Sequence, residues 1–215
     1  MGSTLRRFVK LAALTAPGLA ISTHTTLVAD GSAGLAKPLR ILRLGGAGFT
    51  GPHQMRYALE RGRKLALVNR GTQPDERLGE VEELIVDRNT GDLKPLEGRE
   101  WEVSIHNPTT LPFWVRNADR VLSGKVGQYI FISTISVYAA NDRPADETAA
   151  VPRYDGKDAM VETQETLRAS NSARYGSLKV VSEREASARF SGVTTIIRPG
   201  PIVGPGDESD RLTHW

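Results

Sequence analysis

Short apolar runs recur along this chain, separated by polar turns, and the stretches between them carry helical spacing. Leu39-Arg40-Ile41-Leu42-Arg43-Leu44 has the length and Ile/Leu content of a buried strand. A glycine turn, Gly45 to Gly51, follows it. Pro52 then sits where a first helical residue tolerates proline, Met55, Ala58 and Leu59 keep helical spacing, and Gly62 is a stop. Lys64 to Val68 predicts a second strand, Glu83 to Asp87 a third, Trp101 to Ile105 a fourth and Gln128 to Ile132 a fifth. A helix is expected around Trp114 to Leu122, and another opening at Tyr175 and running through Val180, Val181, Glu185 and Ala188. The polar stretch from Asn141 to Arg174, with Pro144 and Pro152, reads as a loop with a short acidic piece near 161–167. Strands alternating with helices, without hairpin signatures or a fixed repeat, predict an α/β fold with a doubly wound parallel sheet.

The first forty residues follow a different pattern. Met1 to Lys10 is basic, Leu11 to Ile21 is apolar but too short to span a bilayer, and a Ser/Thr/Gly/Ala-rich spacer runs to Lys37-Pro38. This is the layout of an export signal, and Arg6-Arg7-Phe8-Val9-Lys10 resembles a twin-arginine signal, without the residue usually found between the second arginine and the phenylalanine. The expectation is a leader over 1–38 and a folded domain over 39–215, in a periplasmic or exported protein. The alternative is a basic leader on a cytoplasmic one. Charge is informative only once it is located. The whole chain carries +3, but residues 41–215 hold 23 basic against 24 acidic residues, so the domain gives no reason to expect nucleic acid. Cysteine is absent, which removes disulfides, thiolate metal sites and a cysteine nucleophile.

The candidate chemistry begins at the glycine turn. Gly45, Gly48 and Gly51 are spaced G-x-x-G-x-x-G between a strand and a helix. There, glycines let backbone approach a pyrophosphate and the helix start offers free N–H groups. An ordinary glycine-rich loop is the alternative. Strand two ends in Asn69-Arg70-Gly71 with no acid to hold the ribose hydroxyls of NAD. Arg70 there suits the 2′-phosphate of NADP, or is simply a solvated loop arginine. Asp87, at the end of strand three, is placed to meet an adenine amino group or to serve a plain turn. Strand five ends in a row of hydroxyls, Ser133, Thr134, Ser136 and Tyr138. Tyr175 and Lys179 share a helix face, being four apart. A nearby ammonium favours the phenolate of a tyrosine, which can then exchange a proton with a substrate alcohol as hydride leaves or arrives, while the Thr134 hydroxyl holds the substrate oxygen. The four histidines have no metal-binding spacing, and Ser133 and Ser136 lack a hydrolase elbow.

In combination, Gly45 to Gly51, Ile105-His106, Ile132 to Tyr138, Tyr175 to Lys179 and Ile197 to Gly206 resemble the extended short-chain dehydrogenase/reductases of the NAD-dependent epimerase/dehydratase type. The resemblance covers residue 39 onward and implies a Rossmann-like NAD(P)-binding domain. It also implies Tyr175 as acid/base, Lys179 as the ribose-binding and pKa-lowering residue, and Thr134 as their partner. The implied cofactor contacts are Gly45, Gly48, Phe49, Thr50, Gly51, Arg70, Asp87, His106, Ser133, Tyr175, Lys179 and Pro199. The implied substrate is a small molecule, sugar-like or a nucleotide sugar, and the implied assembly a homodimer. Dehydratases of the family carry Asp-Glu after the threonine, where this chain has Ile135-Ser136. Dehydration is therefore disfavoured, leaving epimerisation or alcohol/ketone redox. Family members continue into a smaller substrate lobe, whereas this sequence runs only to Trp215, so most of that lobe is expected to be missing. A relative that keeps the fold but only binds dinucleotide or RNA is the competing reading.

Overall fold

The computed structural model describes residues 38–45, 48–71, 81–107, 110–139 and 144–207. The leader expected over 1–38, with its twin-arginine-like run, falls almost wholly outside these residues. Six strands, β1 (Arg40–Leu44), β2 (Lys64–Asn69), β3 (Glu82–Ile85), β4 (Trp101–His106), β5 (Val126–Ile132) and β6 (Thr194–Ile197), form one all-parallel sheet in the order β3-β2-β1-β4-β5-β6. The doubly wound sheet predicted from the alternation of elements is therefore the one found.

Strand periodicity decides which helix covers which face. Leu42, Leu44, Ala66 and Val68 point to one side, where they pack with Val115, Ala118 and Leu122 of α2 (Pro112–Leu122) and Ala186 of α4 (Tyr175–Arg189). Leu65 and Leu67, with Ile41, point to the other side, against Met55, Ala58 and Leu59 of α1 (Gly51–Glu60). Each fully buried leucine stabilises the fold by roughly 1.5–3 kcal/mol. Arg43 shares the α1 face and is 2% exposed. Its guanidinium donates to the Gln54 side chain, and burial lowers its pKa to about 10.

Two elements depart from the sequence pattern. β3 ends at Ile85, so Asp87 lies in the turn beyond the strand. Its carboxylate accepts from the Asn89 N–H at 2.9 Å. The stretch expected as loop carries a 3₁₀ turn at Ala159–Val161 and a short helix, α3 (Gln164–Ala169). Among the described residues no helix is long and apolar enough to cross a membrane.

Strand order fixes where a ligand can sit. The chain turns back on itself between β1 and its neighbours β2 and β4, and in such sheets ligands lie beyond the carboxyl ends of the strands at that reversal. There the Gly45 N–H donates to the Val68 carbonyl at 2.8 Å, and the Asn107 N–H to the Leu44 carbonyl at 3.1 Å. The glycine turn thus issues directly over the reversal.

Candidate functional site

Gly45 has φ +82°, a conformation that side chains resist. A β-carbon there would also stand 2.8 Å from both the Arg88 guanidinium and the Asn107 carbonyl. Gly48 is different: a β-carbon on it would meet nothing within 4 Å, so its backbone is open. Thr50 precedes α1 without capping it through its side chain, and its hydroxyl instead accepts from Asn107 Nδ2 at 3.4 Å. The first-turn N–H groups are therefore not claimed by that hydroxyl.

The turn opens onto a cavity of about 720 Å³. Gly45, Gly48, Phe49 and Thr50 line it from the turn, Arg70 from the end of β2, and Asp87 from beyond β3. The structure thus brings together six of the residues expected around a cofactor. Besides Val68 and Val86, sequence reasoning passed over Asn69, Arg88, Asn89, Asn107, Trp114 and three residues of α3 in the wall. Asn69 stands where an acid would face a ribose, and its side-chain oxygen accepts from the Gly71 N–H at 2.8 Å. Arg88 stacks over Trp114, 4.3 Å from its ring centre, and burial lowers its pKa to about 10. Trp114 Nε1 in turn donates to Asn89 at 3.1 Å. The Arg88-Asn89 pair beside Asp87 was the available signal, since polar residues just past a parallel strand lie at the ligand edge of the sheet.

Gly51 is buried inside the start of α1 and is absent from this wall. His106, also expected as a cofactor contact, is absent from this wall. It is the last residue of β4 and 0% exposed. Its Nδ1 shares a hydrogen bond with the Tyr129 hydroxyl, and burial holds its pKa well below the usual histidine value. Its ring belongs to the core, not to the cavity.

Two of the three groups expected to react, Lys179 and Thr134, lie at the end of β5. Lys179 is 2% exposed. Its ammonium donates to the Ile132 carbonyl at 2.6 Å and lies 5.0 Å from the centre of the Phe131 ring. Burial lowers its pKa to about 8, against the raising effect of Glu183 one turn on. The Thr134 hydroxyl accepts from the Ser136 N–H at 3.2 Å and caps the 3₁₀ turn Ile135–Val137. That turn presses on α4: a β-carbon at Gly176 would stand 2.2 Å from the Ser136 carbonyl. Ser133 is buried, and Pro199 accepts from the Ile135 N–H at 3.0 Å.

Tyr175 is half-buried and packs beside Leu111, Trp114 and Leu178. With Ser136, Arg153, Ser170 and Ser172 it lines a second, open cavity of about 800 Å³. Ser133, Thr134, Lys179 and Pro199 line neither cavity. Arg198 braces this region: it forms a fork to Glu183 at 2.7 and 3.0 Å and also donates to the Tyr138 hydroxyl at 3.1 Å. Among the described residues no cluster of His, Asp and Glu could hold a metal ion.

No family model and no curated protein matches this sequence. Solved structures do. The chain is similar to UDP-glucuronic acid 4-epimerase from Bacillus cereus in complex with UDP-glucuronic acid and NAD, with a TM-score of 0.59 and 18% identity over 82% of this chain and 61% of that one. It is similar to the Bordetella bronchiseptica enzyme WbmH in complex with NAD+, with a TM-score of 0.60 and 15% identity over 82% and 60%. A UDP-galactose 4-epimerase gives a TM-score of 0.58 and 21% identity over 78% and 58%. The chain spans about three-fifths of the length of these proteins. What it shares with them is the Rossmann-like fold.

Proposed function

We propose that this chain is the nucleotide-binding part of an NAD(P)-linked enzyme of the extended short-chain dehydrogenase/reductase type, an oxidoreductase or epimerase acting at a secondary alcohol or ketone of a sugar-like substrate. The observation that carries the reading is the 720 Å³ cavity over the strand reversal, walled by the glycine turn on one side and by Arg70 and Asp87 on another. The open backbone at Gly48 and the first-turn N–H groups of α1 suit a pyrophosphate. Asn69 and Arg70 in place of an acid favour NADP over NAD, because a guanidinium attracts a 2′-phosphate. The neighbours solved with NAD bear on the fold and leave that preference to be measured.

When bound, a nicotinamide supplies the hydride acceptor or donor. The protein supplies orientation and proton transfer. In this reading Tyr175 exchanges the proton with the substrate oxygen, and Thr134, next to Ser136, steadies that oxygen. Lys179 keeps a cation at the end of β5, where it favours the phenolate. Epimerisation adds only a return of the hydride to the opposite face of the transient ketone.

Two measurements test this. Titrating NADPH and NADH into the protein while following nicotinamide fluorescence is expected to show saturable binding, tighter for NADPH. Tyr175→Phe, assayed on a panel of ketones and nucleotide sugars, is expected to keep cofactor binding and lose turnover by at least about a hundredfold. Equal turnover in both proteins would remove Tyr175 from the chemistry.

A further inference from the structure

We propose that α3 is a working wall of the nucleotide cavity and that Arg168 holds a phosphate of the dinucleotide. The inference rests on the cofactor reading above and adds to it an element from the segment between Ser136 and Tyr175. Gln164, Glu165 and Arg168 line the same cavity as the glycine turn. Gln164 and Arg168 are one turn apart and so share a helix face.

The position of α3 is built rather than incidental. Leu167, 7% exposed, anchors the helix among Leu111, Trp114 and Leu178. Thr163 and Thr166 cap its start reciprocally, each side chain accepting from the other's backbone N–H. Its end closes with the Ser172 N–H on the Leu167 carbonyl at 3.0 Å, and Asn171 takes the left-handed conformation that this closure needs, with φ +52°. A six-residue helix fixed at both ends and along one face holds Arg168 at the cavity rim.

Charge gives the ligand class. The cavity wall carries Arg70, Arg88 and Arg168 against Asp87 and Glu165, a cationic excess. The Arg88 guanidinium stacks on Trp114 and lies beside Gly45, whereas the Arg168 side chain is exposed at the rim, with Glu165 of the same helix as its nearest opposite charge. A planar guanidinium of that kind pairs with phosphate oxygens through two parallel hydrogen bonds.

The test uses the full chain with NADPH and NADH as probes, read by nicotinamide fluorescence, in Arg168→Ala, Arg168→Glu and the charge control Arg184→Glu on the exposed side of α4. Arg168→Ala is expected to weaken binding about tenfold or more, Arg168→Glu further, and Arg184→Glu less than twofold. Loss for both nucleotides assigns Arg168 to the pyrophosphate; loss for NADPH alone assigns it to the 2′-phosphate. If the wild type binds and both Arg168 variants bind as tightly, the proposal is overturned while the cofactor reading stands. If the wild type binds neither nucleotide, both fall together.

Discussion

Lys179 is a cation kept out of water, and its position has a measurable consequence. Its pKa in the folded protein is about 8, below the ordinary lysine value, with burial the chief cause. Between that value and roughly 10.4 the unfolded chain binds the proton more firmly than the folded one, so stability rises with pH across this window and is flat below it. The gain is on the order of 3 kcal/mol by pH 10.5. Urea unfolding of wild type and Lys179→Met at pH 7.5, 9 and 10 is expected to show the difference between them moving in favour of the wild type as pH rises. A difference that stays constant would mean the ammonium is not buried. The glycines make an opposed pair. Gly176→Ala drives a β-carbon to 2.2 Å from the Ser136 carbonyl and is expected to cost about 1–3 kcal/mol in urea unfolding. Gly48→Ala meets nothing within 4 Å, so its stability should match wild type. Its NADPH affinity should nevertheless fall about tenfold, because the added methyl group stands where a phosphate would approach.

The α3–α4 corner turns on a single carboxylate. Glu162 is 7% exposed. It accepts from the Tyr154 and Thr166 hydroxyls and from Arg174 at 3.3 Å, and Arg174 also donates to Asp155 at 2.9 Å. Those bonds, Thr166 foremost, hold the Glu162 pKa below its usual value, while burial and the carboxylate push the Tyr154 phenol up to about 12. Since Arg174 immediately precedes Tyr175, this cluster also fixes where α4 begins. Glu162→Ala is expected to lose about 2–3 kcal/mol in urea unfolding at pH 7, by taking the acceptor from the buried end of Tyr154 and one partner each from Thr166 and Arg174. The depressed pKa adds that the wild-type advantage over the variant shrinks as pH falls below the ordinary glutamate range. None of this is legible in the sequence alone. β1, β2, β4 and β5 announce themselves by apolar runs, and α1, α2 and α4 by helical spacing. α3 has one buried leucine, too little for a period. Its caps are local threonine and asparagine contacts, and in a polar stretch those read as turn chemistry. β3 ends before the apolar run does for a related reason: it is an edge strand with exposed residues, and its register stops where Asn69 pairs with Ile85.

At the scale of the molecule, the glycine turn leaves β1 whereas Tyr175 opens α4, and α2 packs beside both the sheet and α4. The sequence named the glycine turn, Arg70 and Asp87 because motif spacing and strand ends are local properties. It missed Arg88, Asn107, Trp114 and Arg168, which reach the cavity only after the sheet order and the docking of α3 are set. His106 shows the converse: a polar residue at a strand end suggests a ligand, and here burial and Tyr129 claim its ring. A dinucleotide that binds only the folded chain must stabilise it by RT ln(1 + [L]/Kd), which is about 2.7 kcal/mol at a hundred times Kd. For a domain of this size that corresponds to a rise of about 5–10 °C in Tm. A thermal melt with NADPH at a hundred times Kd is expected to show the full rise in wild type and in Tyr175→Phe, and about half of it in Gly48→Ala at the same concentration. Tyr175→Phe melting like wild type while failing to turn over would separate the half of the molecule that binds from the residue that reacts. An unchanged Tm in the wild type at millimolar NADPH would instead mean that the cavity over the strand reversal takes no dinucleotide.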